Sequence, residues 1–265
     1  MKTLFIVGGS SGIGYETAVK FSNENYRVIN LSRTECPLHG VINFQCDVTD
    51  RTALDNALNT IINDYDVNCF VYSAGFSMAA PLEYVKEGDY RYLFEVNFFS
   101  FLHCLQTLIP SLKKTSGTAC IISSIGAIQP IPFDSYYTSS KAALNALCKA
   151  LRYELAPEGI NIIGIMPGGT KTDFTKKRKV YSPAETDGYS KQMSLAVDAL
   201  AKIEQNGMTP QSVASTVFKK CHGSFTSTVY SSGILNKFIH LIIKLMPQVL
   251  LYHMGRFTFF MEEED

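Results

Sequence analysis

The chain opens on a short apolar run, Thr3 to Val7, rich in β-branched and aliphatic side chains and too short for a helix. That pattern predicts a buried strand. A glycine-rich turn follows at once. Tyr15 to Asn23 then takes helical spacing, with Ile13, Ala18, Val19 and Phe21 available for one face. The alternation continues to about residue 230. Further strands are expected at Arg27–Leu31, Val41–Cys46, Val67–Tyr72, Thr118–Ser123, Ile160–Met166 and Phe225–Tyr230. Helices are expected at Asp50–Asn63, at Ser135–Ala156 with Pro157 and Gly159 as its stop, and at Thr209–Cys221, where Thr then Pro is a start signal. Tyr84–Leu112 reads as one or two helices, closed by Pro110 and by Ser116-Gly117. Repeated strand–helix units with right-handed crossovers imply an α/β fold, a doubly wound parallel sheet of seven strands with helices on both faces. Ligand then belongs at the carboxyl ends of the strands.

Size and composition narrow this reading. No linker, repeat or low-complexity stretch divides the 265 residues, so 1–265 reads as a single domain. The formal net charge is zero, which gives no electrostatic pull toward nucleic acid. The seven cysteines are odd in number and contain no Cys-x-x-Cys. They read as reduced, buried small hydrophobes, and the expected location is cytoplasmic. No run of 18 uncharged apolar residues and no signal-peptide pattern is present. The five histidines are scattered without ligand spacing, so no metal is expected, and His103 reads as a core or interface residue.

The turn after the first strand reads Gly8-Gly9-Ser10-Ser11-Gly12-Ile13-Gly14. Strand, glycine turn and helix together suit a phosphate: the glycines let the backbone approach it, and the helix start supplies free N–H groups. The spacing Gly-x-x-x-Gly-x-Gly resembles that of the short-chain dehydrogenase/reductase family. Val7 stands where that family carries threonine. The resemblance implies a Rossmann-type fold and a nicotinamide dinucleotide. At the end of the second strand stand Ser32 and Arg33, with no carboxylate to repel a 2′-phosphate and a guanidinium to pair with one, so NADP(H) is the expected cofactor. Asp47-Val48 matches the family's pair beside the adenine; an acidic turn is the plainer reading of Asp47. Ser73-Ala74-Gly75 stands where the family has Asn-Ala-Gly.

Of fourteen tyrosines only Tyr137 has a lysine four places on, Lys141, which puts both on one helix face. An ammonium beside the phenol, together with an oxidised nicotinamide, favours the phenolate and makes tyrosine a better base. The resemblance then implies the remaining roles. Ser124, thirteen residues before Tyr137, matches the family's catalytic serine, with Ser123 as the neighbouring alternative. Asn97 matches an asparagine that supports proton resupply through Lys141, against a plainer reading as a helix residue satisfying backbone. Pro167-Gly168 with Thr170 and Thr172 matches the segment beside the nicotinamide. The resemblance covers residues 3–175. It implies reversible hydride transfer between NADPH and a carbonyl or alcohol.

Two segments remain. Residues 170–208 are longer than a connection needs and suit a substrate lid. Within them Lys176-Lys177-Arg178-Lys179 reads as a solvated face or as a contact to anionic substrate or headgroups. The apolar extension 232–265 holds a predicted helix at Ile234–Leu251, with Lys237, His240, Lys244 and Gln248 on a narrow polar stripe and a kink at Pro247. Burial against the domain or a partner subunit is one reading; a peripheral membrane contact or the wall of a lipophilic site is the other. Glu262–Asp265 reads as a frayed acidic end. Lid and tail resemble the hydroxysteroid/retinol dehydrogenase-like branch, which implies a lipophilic carbonyl or alcohol substrate. A 3-oxoacyl thioester reductase and a non-catalytic NADP-binding sensor are the alternatives. The family often forms homodimers or homotetramers. The aromatics Tyr90, Tyr92, Phe94, Phe98, Phe99 and Phe101 fit such an interface or the core equally.

Overall fold

The structure, a computed structural model, describes residues 1–223 and 227–260. The start of the last expected strand, 225–226, and the acidic end, 262–265, lie outside the described residues.

The elements run β1 (Thr3–Val7), α1 (Gly12–Asn23), β2 (Arg27–Ser32), β3 (Ile42–Gln45), α2 (Arg51–Asp64), β4 (Cys69–Tyr72), β5 (Met78–Ala79), α3 (Glu87–Phe94), α4 (Ser100–Thr115), β6 (Thr118–Ile122), α5 (Ser135–Leu155), β7 (Asn161–Met166), β8 (Lys179–Val180), α6 (Ser190–Gln205), α7 (Pro210–His222), β9 (Val229–Ser231), α8 (Ile234–Leu245) and α9 (Gln248–Phe260). Seven strands form one parallel sheet in the order β3-β2-β1-β4-β6-β7-β9. Every residue of β1, β4 and β6 is buried, because helices cover both faces and leave no side of the strand for water. One face packs Phe5, Leu31, Phe70 and Ile121 against α2, α4 and α5. The other packs Leu4, Ile6, Val71 and Ile163 against α1 and α7.

Where the structure departs from expectation, the departure is local. Pro110 sits inside α4 and does not close it; the helix runs on to Thr115. Leu105, Leu108 and Leu112 are buried around the proline, and that packing outweighs the one backbone bond it lacks. Ser116, with φ 48°, makes the actual stop. Between α3 and α4 the backbone widens into a π turn at Glu95–Phe99. The long insert is structured: β8 pairs with β5, and α6 packs against α9. The tail is two helices, broken at Met246-Pro247, not one kinked helix. The aromatic crowd divides, with Phe101 in the core and Tyr92 and Phe99 exposed. His103, half-buried, pairs with Asp55 of α2.

Candidate active site

One cavity of about 830 Å³ runs along the carboxyl ends of the strands, from the glycine loop to the tail. Gly8 turns the chain out of β1 with φ 84°, where a Cβ would also press on the Ala74 backbone. Gly14 lets α1 start against the loop, since a Cβ there would drive into the Gly8 carbonyl. Gly8, Ser10, Ser11, Gly12 and Ile13 line the cavity; Gly9 and Gly14 lie behind it. Ser11 is the residue before the first turn of α1, so that helix directs its N-terminus at the cavity.

A buried residue that the sequence reading did not single out holds this loop. Asn30, in the middle of β2, accepts from the Gly9 N–H at 2.8 Å and donates to Ser32 and Asn43, each at 2.9 Å. Its signal was a lone amide inside the apolar run Arg27–Ser32. It braces the loop from behind, beside Ile6, with which it pairs across β1 and β2.

Ser32 and Arg33 open onto the cavity, Arg33 exposed. The Ser32 hydroxyl donates to the Thr34 carbonyl at 2.7 Å, which curls the chain after β2. Asp47 accepts from the Thr49 N–H at 2.9 Å and the Thr49 hydroxyl at 2.8 Å. It therefore does build a turn, and that turn presents Asp47 and Val48 to the cavity. Ser73, Ala74 and Gly75 line it at the end of β4, and Pro167, Gly168, Thr170 and Thr172 at the end of β7.

The residues expected to react come from the segment after β6 and from α5. Tyr137 and Lys141 lie one turn apart on the inner face of α5 and are both buried. The Ser124 hydroxyl accepts from the Gly126 N–H at 3.0 Å, lines the same cavity as Tyr137 and lowers the phenol's proton affinity. Ser123 instead turns inward and donates to the Lys141 carbonyl at 3.3 Å, which leaves Ser124 as the serine on the tyrosine. The Lys141 ammonium donates to the Ile122 carbonyl at 2.8 Å and sits 5.7 Å from the centre of the Tyr137 ring.

Burial sets the proton affinities here. It pushes the Tyr137 phenol above its ordinary value, and Ser124 pulls it only part of the way back. Burial also pushes Lys141 down to about 8. Removal of water from the phenol outweighs the influences that favour the phenolate.

Asn97 is fully buried and lies behind the cavity wall. Its amide exchanges two 3.0 Å bonds with the Phe76 backbone and donates to Ser140 at 3.2 Å. The π turn that carries it widens the helix where its side chain reaches across to the loop after β4.

On the far side of Tyr137 the lid forms a polar network that the sequence did not reveal. Arg178, buried, pairs with Glu204 at 2.6 Å and donates to Ser77 at 2.8 Å. Thr175 caps the other Glu204 oxygen at 2.5 Å. Asp134, one turn before Tyr137, accepts from the Met78 N–H at 3.2 Å, while its second oxygen has no partner among the described residues. Burial pushes its carboxyl up to about 7. The basic run is thus divided and is not one face: Lys179 pairs with Asp89 at 2.6 Å, Lys177 reaches the cavity, and Arg178 points inward. Apolar walls complete the cavity, with Phe174 5.9 Å from the Tyr137 ring, Leu200 and Ile203 of α6, and Phe259 of α9. No group of three His, Cys, Asp or Glu side chains that could hold a metal ion occurs among the described residues.

The short chain dehydrogenase family profile matches residues 2–181. A 3-ketodihydrosphingosine reductase from Bacteroides thetaiotaomicron is 27% identical over 220 residues, 82% of either chain. The human 17-beta-hydroxysteroid dehydrogenase type 1 is 28% identical over 192 residues, 66% of this chain and 58% of that protein. Among solved structures, a short chain dehydrogenase from Burkholderia cenocepacia in complex with NADP superposes with a TM-score of 0.75 at 20% identity, covering 96% of this chain and 99% of that one.

Proposed function

The chain belongs to the short-chain dehydrogenase family, and from that premise we propose that it is an NADP(H)-dependent oxidoreductase acting on a lipophilic carbonyl or alcohol. The observation that carries the reading is the buried Tyr137, one turn from Lys141 and lining the same cavity as Ser124, which begins at a glycine-lined helix N-terminus. The residues fit a dinucleotide. Gly8 and Gly12 take left-handed φ values of 84° and 57° along the cavity wall, and a Cβ on Gly75 would press on Asn97 Oδ1 at 3.1 Å, so glycine keeps the backbone close to the cavity there. Arg33 supports the 2′-phosphate form, and no carboxylate at Ser32 opposes it.

Bound there, a nicotinamide dinucleotide supplies or takes up the hydride. In the reducing direction the Tyr137 phenol hands its proton to the substrate oxygen. Burial keeps that proton on the tyrosine until an oxygen of rising basicity is presented to it. Ser124 holds the same oxygen in place by a second hydrogen bond. Lys141, positive at neutral pH despite its lowered affinity, compensates the charge left on the phenolate. Asn97 fixes the loop after β4 at Phe76 and the α5 turn at Ser140, so it positions the pair from behind. Phe174, Leu200, Ile203 and Phe259 support a lipophilic substrate, and so do the names of the reductase and hydroxysteroid dehydrogenase relatives.

The test follows NADPH and NADH oxidation with steroid ketones, retinal, long-chain ketones and 3-oxoacyl thioesters. The expected result is turnover of a lipophilic ketone or aldehyde with NADPH preferred, and loss of that preference in Arg33→Glu. Turnover of the thioesters alone would replace the substrate class. Tight NADPH binding without turnover of any carbonyl would replace the enzyme by a sensor.

A further inference from the structure

α8 is turned inside out. Two of its polar side chains face the body of the protein: Asn236 donates to the Ser232 carbonyl at 2.7 Å, and His240 pairs with the Ser231 hydroxyl at 3.0 Å. On the opposite side Leu235, Phe238, Ile242 and Leu245 form one stripe, spaced three, four and three residues apart, and are 72%, 60%, 45% and 76% exposed. None of the twelve residues of α8 is buried against the described residues. An apolar stripe normally faces the core, because removal from water is what stabilises a surface helix. α9 extends the exposed apolar surface through Val249, Leu250 and Phe257.

The charge pattern says what covers it. Between Ile234 and Phe260 the chain carries Lys237, Lys244 and Arg256 and no Asp or Glu; acidic residues return only at 262–265. Lys237 and Lys244 are both exposed and lie seven residues apart along one border of the stripe. From there long side chains reach out of an apolar layer to charge at its surface. A second copy docked on the same patch would bring like charges together across a two-fold axis. The helices hold 12 and 13 residues, roughly 20 Å each at 1.5 Å per residue, against a hydrocarbon layer of about 30 Å. Among the described residues no helix is long and apolar enough to cross a membrane. The surface therefore suits lying in the plane of a bilayer. Behind it, Thr258 and Phe259 of α9 line the cavity of Tyr137, so one helix is both outer surface and cavity wall.

We propose that α8 and α9 form an in-plane docking surface for an anionic lipid bilayer, beside which the substrate cavity opens. Docking stands on the tail alone. Only the delivery of substrate from the bilayer rests on the lipophilic reading above.

The test is flotation of the full chain with phosphatidylcholine vesicles, with and without phosphatidylglycerol, at low and high salt. The expected result is binding to the anionic vesicles that weakens with salt. Leu235→Ser/Phe238→Ser/Leu245→Ser should lower partitioning on the order of a hundredfold. Lys237→Glu/Lys244→Glu should lower it at least about tenfold at low salt. NADPH fluorescence reports that each variant is folded. No flotation, equal binding to neutral vesicles, or unchanged binding of the triple-serine variant would overturn the proposal. So would a wild type that ignores vesicles and loses a dimer in the serine variant, which would assign the stripe to a second copy. If the protein floats but reduces no lipophilic carbonyl, docking holds and the substrate reading fails.

Discussion

α5 and α8 distribute their side chains in opposite ways. α5 buries Tyr137, Ser140, Lys141 and Asn145 on its inner face, while α8 exposes Leu235, Phe238 and Leu245 on its outer one. In α5 polar groups sit where apolar ones would stabilise the fold better. In α8 apolar groups sit where they contribute nothing to it. Each placement has a cost or a forgone gain in stability, and each lies where the proposed chemistry or the proposed docking would use it. The difference teaches how to look for function in such a fold: at the residues whose burial runs against their polarity.

The contrast can be broken most sharply at Tyr137. Tyr137→Phe keeps the ring and its packing and removes the proton donor. We expect carbonyl reduction to fall by about 10²–10⁴-fold while NADPH binding, read by fluorescence, is retained. Equal loss of both would make the tyrosine a structural residue.

The next effect is on stability. The Asp134 carboxyl is raised to about 7 from 3.8, so between those values the native state holds a proton that the unfolded chain has released. Stability from this group is therefore lost as pH rises through that window and is flat above it. Asp134→Asn cannot ionise. Denaturant titrations should show it equal to the wild type near about pH 4 and more stable by about 2–4 kcal/mol above about pH 7. Parallel pH profiles would contradict this.

Lys141 gives the opposite sign. Its affinity is lowered to about 8 from 10.5, so below about 8 the folded protein carries the full cost of a buried ammonium, and that cost fades as pH rises toward the unfolded value. Lys141→Met should be inactive yet more stable by about 1–3 kcal/mol at neutral pH, with the gap closing in alkali. A destabilised variant would show that the Ile122 bond outweighs the desolvation. The smallest effect belongs to α8, where Leu235→Ser should change unfolding stability by no more than about 0.5 kcal/mol. A loss of several kcal/mol would mean that the stripe is covered within the protein.

What the sequence made legible follows the range of the forces involved. β1, the glycine turn and α1 are local: period, composition and turn chemistry all act within Thr3–Asn23, and the parallel sheet follows from repeating that unit. Tyr137 and Lys141 were legible because one helix turn relates them. Pro110 misled because a single lost backbone bond is a local cue, and the packing of Leu105 and Leu112 that overrides it is not. The Arg178–Glu204 pair spans 26 residues and the Arg178–Ser77 bond 101, so no spacing rule reaches them. Their charges also read as solvent-facing until the fold encloses them. For α8 the two faces were readable, but which one turns inward depends on Ser231 and Ser232 meeting His240 and Asn236.

The wide turn at Glu95–Phe99 is a feature of chain length more than of side chains. An α-helix advances by about 100° per residue. Deleting one residue here would restore regular pitch and rotate α3 against α4 by about that angle. Tyr90, stacked 5.0 Å from Tyr136, and the buried Leu93 would leave their seats with no side chain on either helix altered. Insertions and deletions should therefore be tolerated least in a stretch where Glu95 and Phe99 stand partly in water and accept ordinary substitutions.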